Sequence, residues 1–282
     1  MTIAELLRKL RKELSALLGE LAQNDAELII EYSLNISRTQ IYTGSSIEIS
    51  AQELSKIESV VKRRLDGEPL QYIFGSAYFY DREFFVNRDV LIPRPDTETL
   101  VETVLSAEKN NNAIFADIGT GSGILAAVLT SNNPAWKAVA VDVSFKALKT
   151  ASRNVSGSVK LLCADMMSAF KQNRKFDFVI SNPPYISSSQ MQTLDKSVYS
   201  YEPRGALFGG NDGLDFYRTI STSAPLCLKK GGRIYLEIGY DQGESVPQIL
   251  NDNGWKNIAV VKDLAGRNRV VKAFFSNDYA CA

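Results

Sequence analysis

The sequence has no histidine among its 282 residues. That absence excludes imidazole general bases, Ser-His-Asp triads and histidine metal ligands. Proton handling must fall to Asp, Glu, Lys, Tyr or water. Cysteine is scarce as well. Cys163, Cys227 and Cys281 are widely separated and odd in number, which suits reduced thiols better than a disulfide framework or a zinc site. Neither sign of charge is in excess, since 32 Lys and Arg balance 32 Asp and Glu. A chain gripping nucleic acid through many phosphates would carry a basic surplus, so no direct nucleic-acid substrate is expected. No apolar run approaches the roughly 20 residues that span a bilayer. Arg8, Lys9, Arg11 and Lys12 interrupt the N-terminal stretch where a secretory signal would be apolar. No membrane contact is expected, the composition suits a cytoplasmic location, and nothing demands more than a monomer.

What is present falls into regions of different periodicity. Residues 1–70 read as helical. Leu6, Leu7, Leu10, Leu14, Leu17, Leu18 and Leu21 recur at three- and four-residue steps, giving one apolar stripe. A second helix is expected from Asp25 to Leu34. Ser50 with Glu53 forms a capping box ahead of Leu54, Ile57, Val60, Val61 and Leu65. This region is either a small bundle without chemistry or a platform for a macromolecular partner. Residues 71–92 change to aromatic and β-branched alternation around Asp81-Arg82-Glu83, the pattern of a β-hairpin linker. From 93 to 282, apolar runs at Ile114–Ile118, Ala138–Val141, Val159–Leu162, Phe176–Ile180, Arg233–Ile238 and Val270–Phe275 read as strands. Helical segments at Ile124–Thr130, Phe145–Asn154, Gly213–Leu228 and Ser245–Asn253 separate most of them. Such alternation predicts an α/β, doubly wound, mainly parallel sheet.

The first of these strands runs directly into Gly119-Thr120-Gly121-Ser122-Gly123, and a helix follows. Glycine is needed where the chain turns sharply and a ligand touches its backbone, and the helix start offers N–H groups. The spacing is G-x-G-x-G, not the G-x-G-x-x-G of a dinucleotide fold. Asp142 closes the second strand, where a carboxylate can accept from ribose hydroxyls; a helix N-cap role is compatible with that. A ribose diol without a pyrophosphate describes an adenosylmethionine or adenosine-type ligand. Asp165 and Met166 follow the third strand on the same rim, placed for an adenine amino group and ring.

Asn182-Pro183-Pro184-Tyr185 caps the fourth strand, at the edge where doubly wound sheets hold ligands. Two prolines fix φ and remove two donors. The Asn182 side-chain oxygen and the Pro183 carbonyl can then both accept from one –NH2 group and aim its nitrogen at a sulfonium methyl. An amide nitrogen is a poor nucleophile because its lone pair is delocalised. Two acceptors on its hydrogens favour loss of planarity and so stabilise the transition state. Tyr185 offers a flat face for a planar amide or base.

With these residues in hand, the chain resembles the HemK/PrmC family of protein-(glutamine-N5) methyltransferases. The resemblance covers essentially the whole chain. It rests on Gln71-Tyr72-Ile73-x-Gly75, Leu91-Ile-Pro-Arg-Pro-Asp-Thr-Glu98, Asp117-Ile-Gly-Thr-Gly-Ser-Gly123 and Asn182-Pro-Pro-Tyr-Ile186. Tyr201-Glu-Pro-Arg204, Gly209-Gly-Asn-Asp-Gly-Leu214 and Asp263-Leu-Ala-Gly266 add to it. The resemblance implies a seven-stranded, Rossmann-like methyltransferase sheet behind a helical domain that docks the substrate. It implies S-adenosyl-L-methionine as cofactor, held by Gly119, Thr120, Gly121, Ser122, Gly123, Asp142, Asp165, Met166 and Asn182. Residues Asn182, Pro183, Pro184 and Tyr185 would bind the glutamine of the Gly-Gly-Gln loop in class 1 peptide chain release factors. Asn182, Pro183 and Tyr185 would carry the chemistry. An aromatic residue is common in the family where Met166 stands. The Asn-Pro-Pro-Tyr motif is shared with adenine-N6 and guanine-N2 nucleic-acid methyltransferases, the alternative reading. Arg94, Glu98 and Glu202 stay open between structural and site roles.

Overall fold

The computed structural model describes residues 1–170 and 174–276; Cys281 lies outside them. The chain divides into two compact units, Met1–Gly75 and Ser76–Ala282.

The first unit is helical: α1 (Ile3–Leu18), α2 (Ala22–Leu34), α3 (Arg38–Thr43), α4 (Ala51–Leu65) and α5 (Leu70–Phe74). Helices this short are marginal in isolation and depend on burying one face. Leu6, Leu10 and Leu14 of α1 pack with Ile29, Ile30 and Ile57 in one core. The leucine stripe is narrower than expected, because Leu17 and Leu21 are 48% and 66% exposed where α1 ends. Three capping boxes are made here, by Thr2 with Glu5, by Ser37 with Gln40 and by Ser50 with Glu53. In the last, Glu53 N–H donates to Ser50 Oγ and Ser50 N–H to the Glu53 carboxylate, satisfying two donors that a helix start leaves open.

The second unit begins with a hairpin, β1 (Ser76–Phe79) and β2 (Arg82–Phe85). Its turn is Tyr80-Asp81, with φ of 50° and 56°, while Arg82 and Glu83 pair with Phe79 and Tyr78. The turn therefore begins one residue earlier than the sequence pattern placed it, and Arg82 and Glu83 belong to the second strand. A two-residue loop with both residues left-handed matches the twist of the flanking strands.

The rest alternates: α6 (Glu98–Ala107), β3 (Ile114–Ile118), α7 (Ile124–Asn132), β4 (Lys137–Asp142), α8 (Phe145–Ala151), β5 (Val159–Cys163) and β6 (Phe176–Ser181). Short helices α9 (Ser188–Met191) and α10 (Lys196–Tyr201) lead to α11 (Asp215–Cys227), β7 (Leu228–Glu237), α12 (Ser245–Asp252), β8 (Lys256–Lys262) and β9 (Asn268–Phe274). The seven strands are ordered β5-β4-β3-β6-β7-β9-β8. Pairings from β5 to β7 are parallel, and β9 is antiparallel to both neighbours. Helices cover both faces. Leu100, Val101 and Leu129 pack with Phe115 and Phe178 on one side; Tyr217, Ile220 and Leu250 pack with Ile118 and Val179 on the other. Among the described residues no helix is long and apolar enough to cross a membrane.

Two departures have plain causes. Helix α8 ends at Ala151, short of the expected Asn154. Asn154 instead accepts from Phe85 N–H at 2.8 Å and donates to the carbonyls of Phe85 at 2.8 Å and Ser122 at 2.9 Å, tying hairpin to glycine loop. Strand β8 was absent from the strands read off the sequence, because Ile258–Val261 is a short apolar run at a sheet edge.

Candidate active site

Strand β3 is flanked by β4, the next in sequence, and by β6, which returns on its other side. The chain therefore diverges on either side of β3, and the crevice at those carboxyl ends is the topological switch point. Ile118 pairs with Ser181 at that edge, so Gly119 and Asn182, the next residues, enter the crevice together. A cavity of about 370 Å³ occupies it, within the usual range for small-molecule sites. Gly119, Thr120, Gly121, Ser122, Asp142, Asp165, Met166, Asn182, Pro183 and Pro184 all line it.

Gly119 and Gly121 have φ of 71° and 55°, and a Cβ built on either would meet nothing within 4 Å. Their freedom thus serves a turn and an open cradle. Gly123 differs. It is not a lining residue; it starts α7 at φ 81°, and a Cβ there would lie 2.9 Å from Val155 and 3.1 Å from Ala151. Packing accounts for its lack of a side chain. The N–H groups of Gly119 and Thr120 both donate to the Val141 carbonyl at 2.9 Å. Gly121 N–H donates to Asp142 at 2.9 Å. Much of the loop's donor capacity is therefore spent within the protein, unlike a phosphate-binding loop, and what the cradle offers is space.

Asp142 also accepts from Ser144 N–H at 2.8 Å. Ser144 caps α8, accepting from Ala147 N–H at 3.2 Å. Asp142 is thus held at the cavity wall by two backbone donors and is not itself the cap. Asp165 is exposed at the rim. Met166 adopts φ of 49° and packs against the core of the α11 face. Behind the loop, Asp117 is fully buried, accepting from Thr120 Oγ1 at 2.6 Å and Ala126 N–H at 3.3 Å. Burial pushes its carboxyl up to about 7.

Asn182 is half-buried, and its Nδ2 donates to Thr97 Oγ1 at 3.3 Å. No described residue donates to its Oδ1 or to the Pro183 carbonyl. The turn is braced from behind. A Cβ on Gly209 would lie 2.6 Å from the Pro184 oxygen, and one on Gly213 would lie 2.3 Å from the Tyr185 oxygen. Gln242 Nε2 donates to the carbonyls of Tyr185 at 3.2 Å and Gly213 at 3.1 Å. Tyr185 is not a lining residue; its half-buried ring packs against the core, and burial raises its phenol to about 12.

Arg94 lines the cavity and is ion-paired with the buried Glu202. Pro203, Gly205 and Ala206, just after Glu202, line it too. Glu98 accepts from Tyr80 N–H at 3.0 Å, which anchors the hairpin turn. Two neighbours of Asn182 were not singled out from the sequence: Thr97, 1% exposed, and Glu237, 1% exposed at the end of β7. The available signal for Glu237 was an acid inside the apolar run Arg233–Ile238.

A sheet of this order, with a glycine cradle and an acidic strand end facing each other at its switch point, defines a methyltransferase of the doubly wound α/β class. A methyltransferase from Pyrococcus furiosus shares the fold at a TM-score of 0.53 and 16% identity, over 76% of this chain and 97% of that one. Residues 5–75 match the family model of the PrmC N-terminal domain, and residues 95–199 match that of the methyltransferase small domain. The release factor glutamine methyltransferase of Koribacter versatilis is 38% identical over 275 residues, covering 96% of this chain and 98% of its own. That of Thermodesulfovibrio yellowstonii is 41% identical over 254 residues, covering 88% and 90%. The chain belongs to the release factor glutamine methyltransferase family.

Proposed function

We propose that this chain methylates the side-chain amide nitrogen (N5) of glutamine in the Gly-Gly-Gln loop of class 1 peptide chain release factors, with S-adenosyl-L-methionine as donor. The observation that carries the reading is the pair of unclaimed acceptors, Asn182 Oδ1 and the Pro183 carbonyl, beside the open Gly119–Gly121 cradle. The residues present fit the cofactor. Gly119 and Gly121 leave backbone-lined space, Asp142 brings acceptor capacity for ribose hydroxyls, and Asp165 with Met166 flanks the adenine end. Thr120 and Ser122 line the same wall, and Gly123 fixes the loop through its packing.

When bound, the cofactor supplies a methyl group on a positively charged sulfur. The chain's own residues hold and activate the acceptor. Asn182 and Pro183 accept from the two amide hydrogens and orient the nitrogen lone pair, an interaction that strengthens as the nitrogen loses planarity. Pro184 keeps the Pro183 carbonyl in a fixed direction. Tyr185 walls the turn with an apolar ring and, with its phenol near 12, stays protonated at neutral pH. The proton leaves to water, which suits a chain without histidine. The helical unit Met1–Gly75 serves in this account as the release-factor docking element, and the protein acts as a cytoplasmic monomer. Mass spectrometry of the release-factor loop peptide after incubation with the chain and cofactor is the direct test. One added methyl on the loop glutamine supports the reading, and an unmodified glutamine opposes it.

A further inference from the structure

Glu237 follows Leu236, which pairs with Ser181 across β6 and β7, so its carboxyl arrives beside Asn182 from the next strand. It is 1% exposed, and its Oε2 is a buried oxygen with no hydrogen-bond partner among the described residues. The Thr97 hydroxyl and the Asn182 carboxamide face it and favour its charged form. Arg269 of β9 favours it as well, although Arg269 is shared with Asp96 at 2.9 Å and Asp263 at 3.4 Å. Asp96 opposes the charge, and the phenols of Tyr185 and Tyr217 lie close enough to sense it. The glutamine-methylating mechanism makes no use of this carboxyl.

A carboxylate only accepts hydrogen bonds, whereas a carboxamide has a donor end and an acceptor end. With a carboxylate and Thr97 Oγ1 on one side of Asn182, the favourable arrangement puts Nδ2 toward them. The acceptor Oδ1 then points the opposite way, to the substrate. Protonated, Glu237 becomes a donor and removes that preference. An inverted carboxamide would present N–H groups to the N–H groups of the incoming amide, which repel. A buried polar atom without a partner is costly, and orienting Asn182 is a role that accounts for keeping it.

We propose that ionised Glu237 is a positioning residue which, with Thr97, holds the donor end of the Asn182 carboxamide and so turns its Oδ1 toward the substrate amide. The inference rests on the glutamine-methylating reading. Its consequence is an acid limb in turnover. Burial, the largest influence on the carboxyl, pushes it up to about 7, so kcat rises with pH through that region as the carboxylate forms.

The test compares kcat from acid to alkaline pH for the native chain and Glu237→Gln, with release factor as substrate and cofactor affinity measured by calorimetry. The native chain shows the limb. Glu237→Gln loses it and falls at least about tenfold in kcat at alkaline pH, with cofactor affinity unchanged, the loss expected when an oriented hydrogen-bond acceptor is no longer fixed. A limb that survives in Glu237→Gln belongs to another group, Asp117 foremost, and overturns the inference; so does native kcat in that variant. The native protein supplies a second readout that no folding defect can obscure. The side-chain amide resonances of Asn182, assigned by their loss in Asn182→Ala, shift with the same midpoint. Resonances that do not move across that range overturn the inference. If the native chain leaves the loop glutamine unmethylated at every pH, the functional reading fails, and this inference with it.

Discussion

Asn182 Nδ2 donates to Thr97 Oγ1 at 3.3 Å, a bond across 85 positions of sequence. It leaves the Asn182 oxygen as the side chain's acceptor on the cavity. Replacing Asn182 with Ala removes that acceptor without touching the glycine cradle. Turnover should fall about 10²–10³-fold, the scale of losing one preorganised transition-state hydrogen bond, while cofactor affinity measured by calorimetry stays near native. Near-native kcat in this variant would contradict the role assigned to Asn182.

Asp142 is held by Gly121 N–H and Ser144 N–H at the cavity wall. Asp142→Ala should weaken cofactor binding about 10–100-fold, the range for losing hydrogen bonds to a charged acceptor. A titration showing unchanged affinity would refute the ribose assignment.

The Asn-Pro-Pro-Tyr turn is supported by backbone packed too closely for side chains. A Cβ on Gly213 would sit 2.3 Å from the Tyr185 oxygen, and Gly213 has φ of 78°. Gly213→Ala should destabilise the fold by about 1–3 kcal/mol and depress kcat more than cofactor affinity, because the displaced turn carries the substrate acceptors. Denaturant titration combined with kinetics checks both halves.

Asp117 gives a stability prediction with a definite sign. Its folded pKa is raised from 3.8 to about 7 by burial, so the native state binds the proton more tightly than the unfolded chain. Its contribution is therefore fully present at pH below 3.8 and is lost as pH rises through about 7. Asp117→Asn should gain stability relative to the native chain over that window, by on the order of 1–3 kcal/mol, and no further above it. Denaturation at acid and mildly alkaline pH measures the difference. An equal difference at both would contradict the assignment. Glu237, shifted in the same direction, is present in both proteins and cancels.

Much of this was legible from the sequence because local and global signals agree. Ile114–Ile118 is apolar but for Asp117, ends at a glycine and is buried on both faces, and it forms a strand with those same limits. The Ser50–Glu53 box forms as its spacing requires. The cavity gathers Gly119, Asp142, Asp165 and Asn182 because each closes or follows a strand that ends at one edge of one sheet. What stayed hidden depends on distant partners. Asn154 leaves its helix to bond hairpin and loop, Gly123 leaves room for Val155, 2.9 Å from where its Cβ would stand, and Tyr185 turns its ring to the core. Glu237 meets Asn182 through sheet registry and Thr97 through the turn that precedes α6, and no spacing along the chain encodes either.

The measurement that bears most directly on the account is methyl transfer from radiolabelled S-adenosylmethionine. It would offer, side by side, intact release factor, the same factor with its loop glutamine replaced, and bulk RNA and DNA. Label is expected on the intact factor alone, and is lost when the glutamine is replaced. Label on nucleic acid, or on the factor lacking that glutamine, would contradict it.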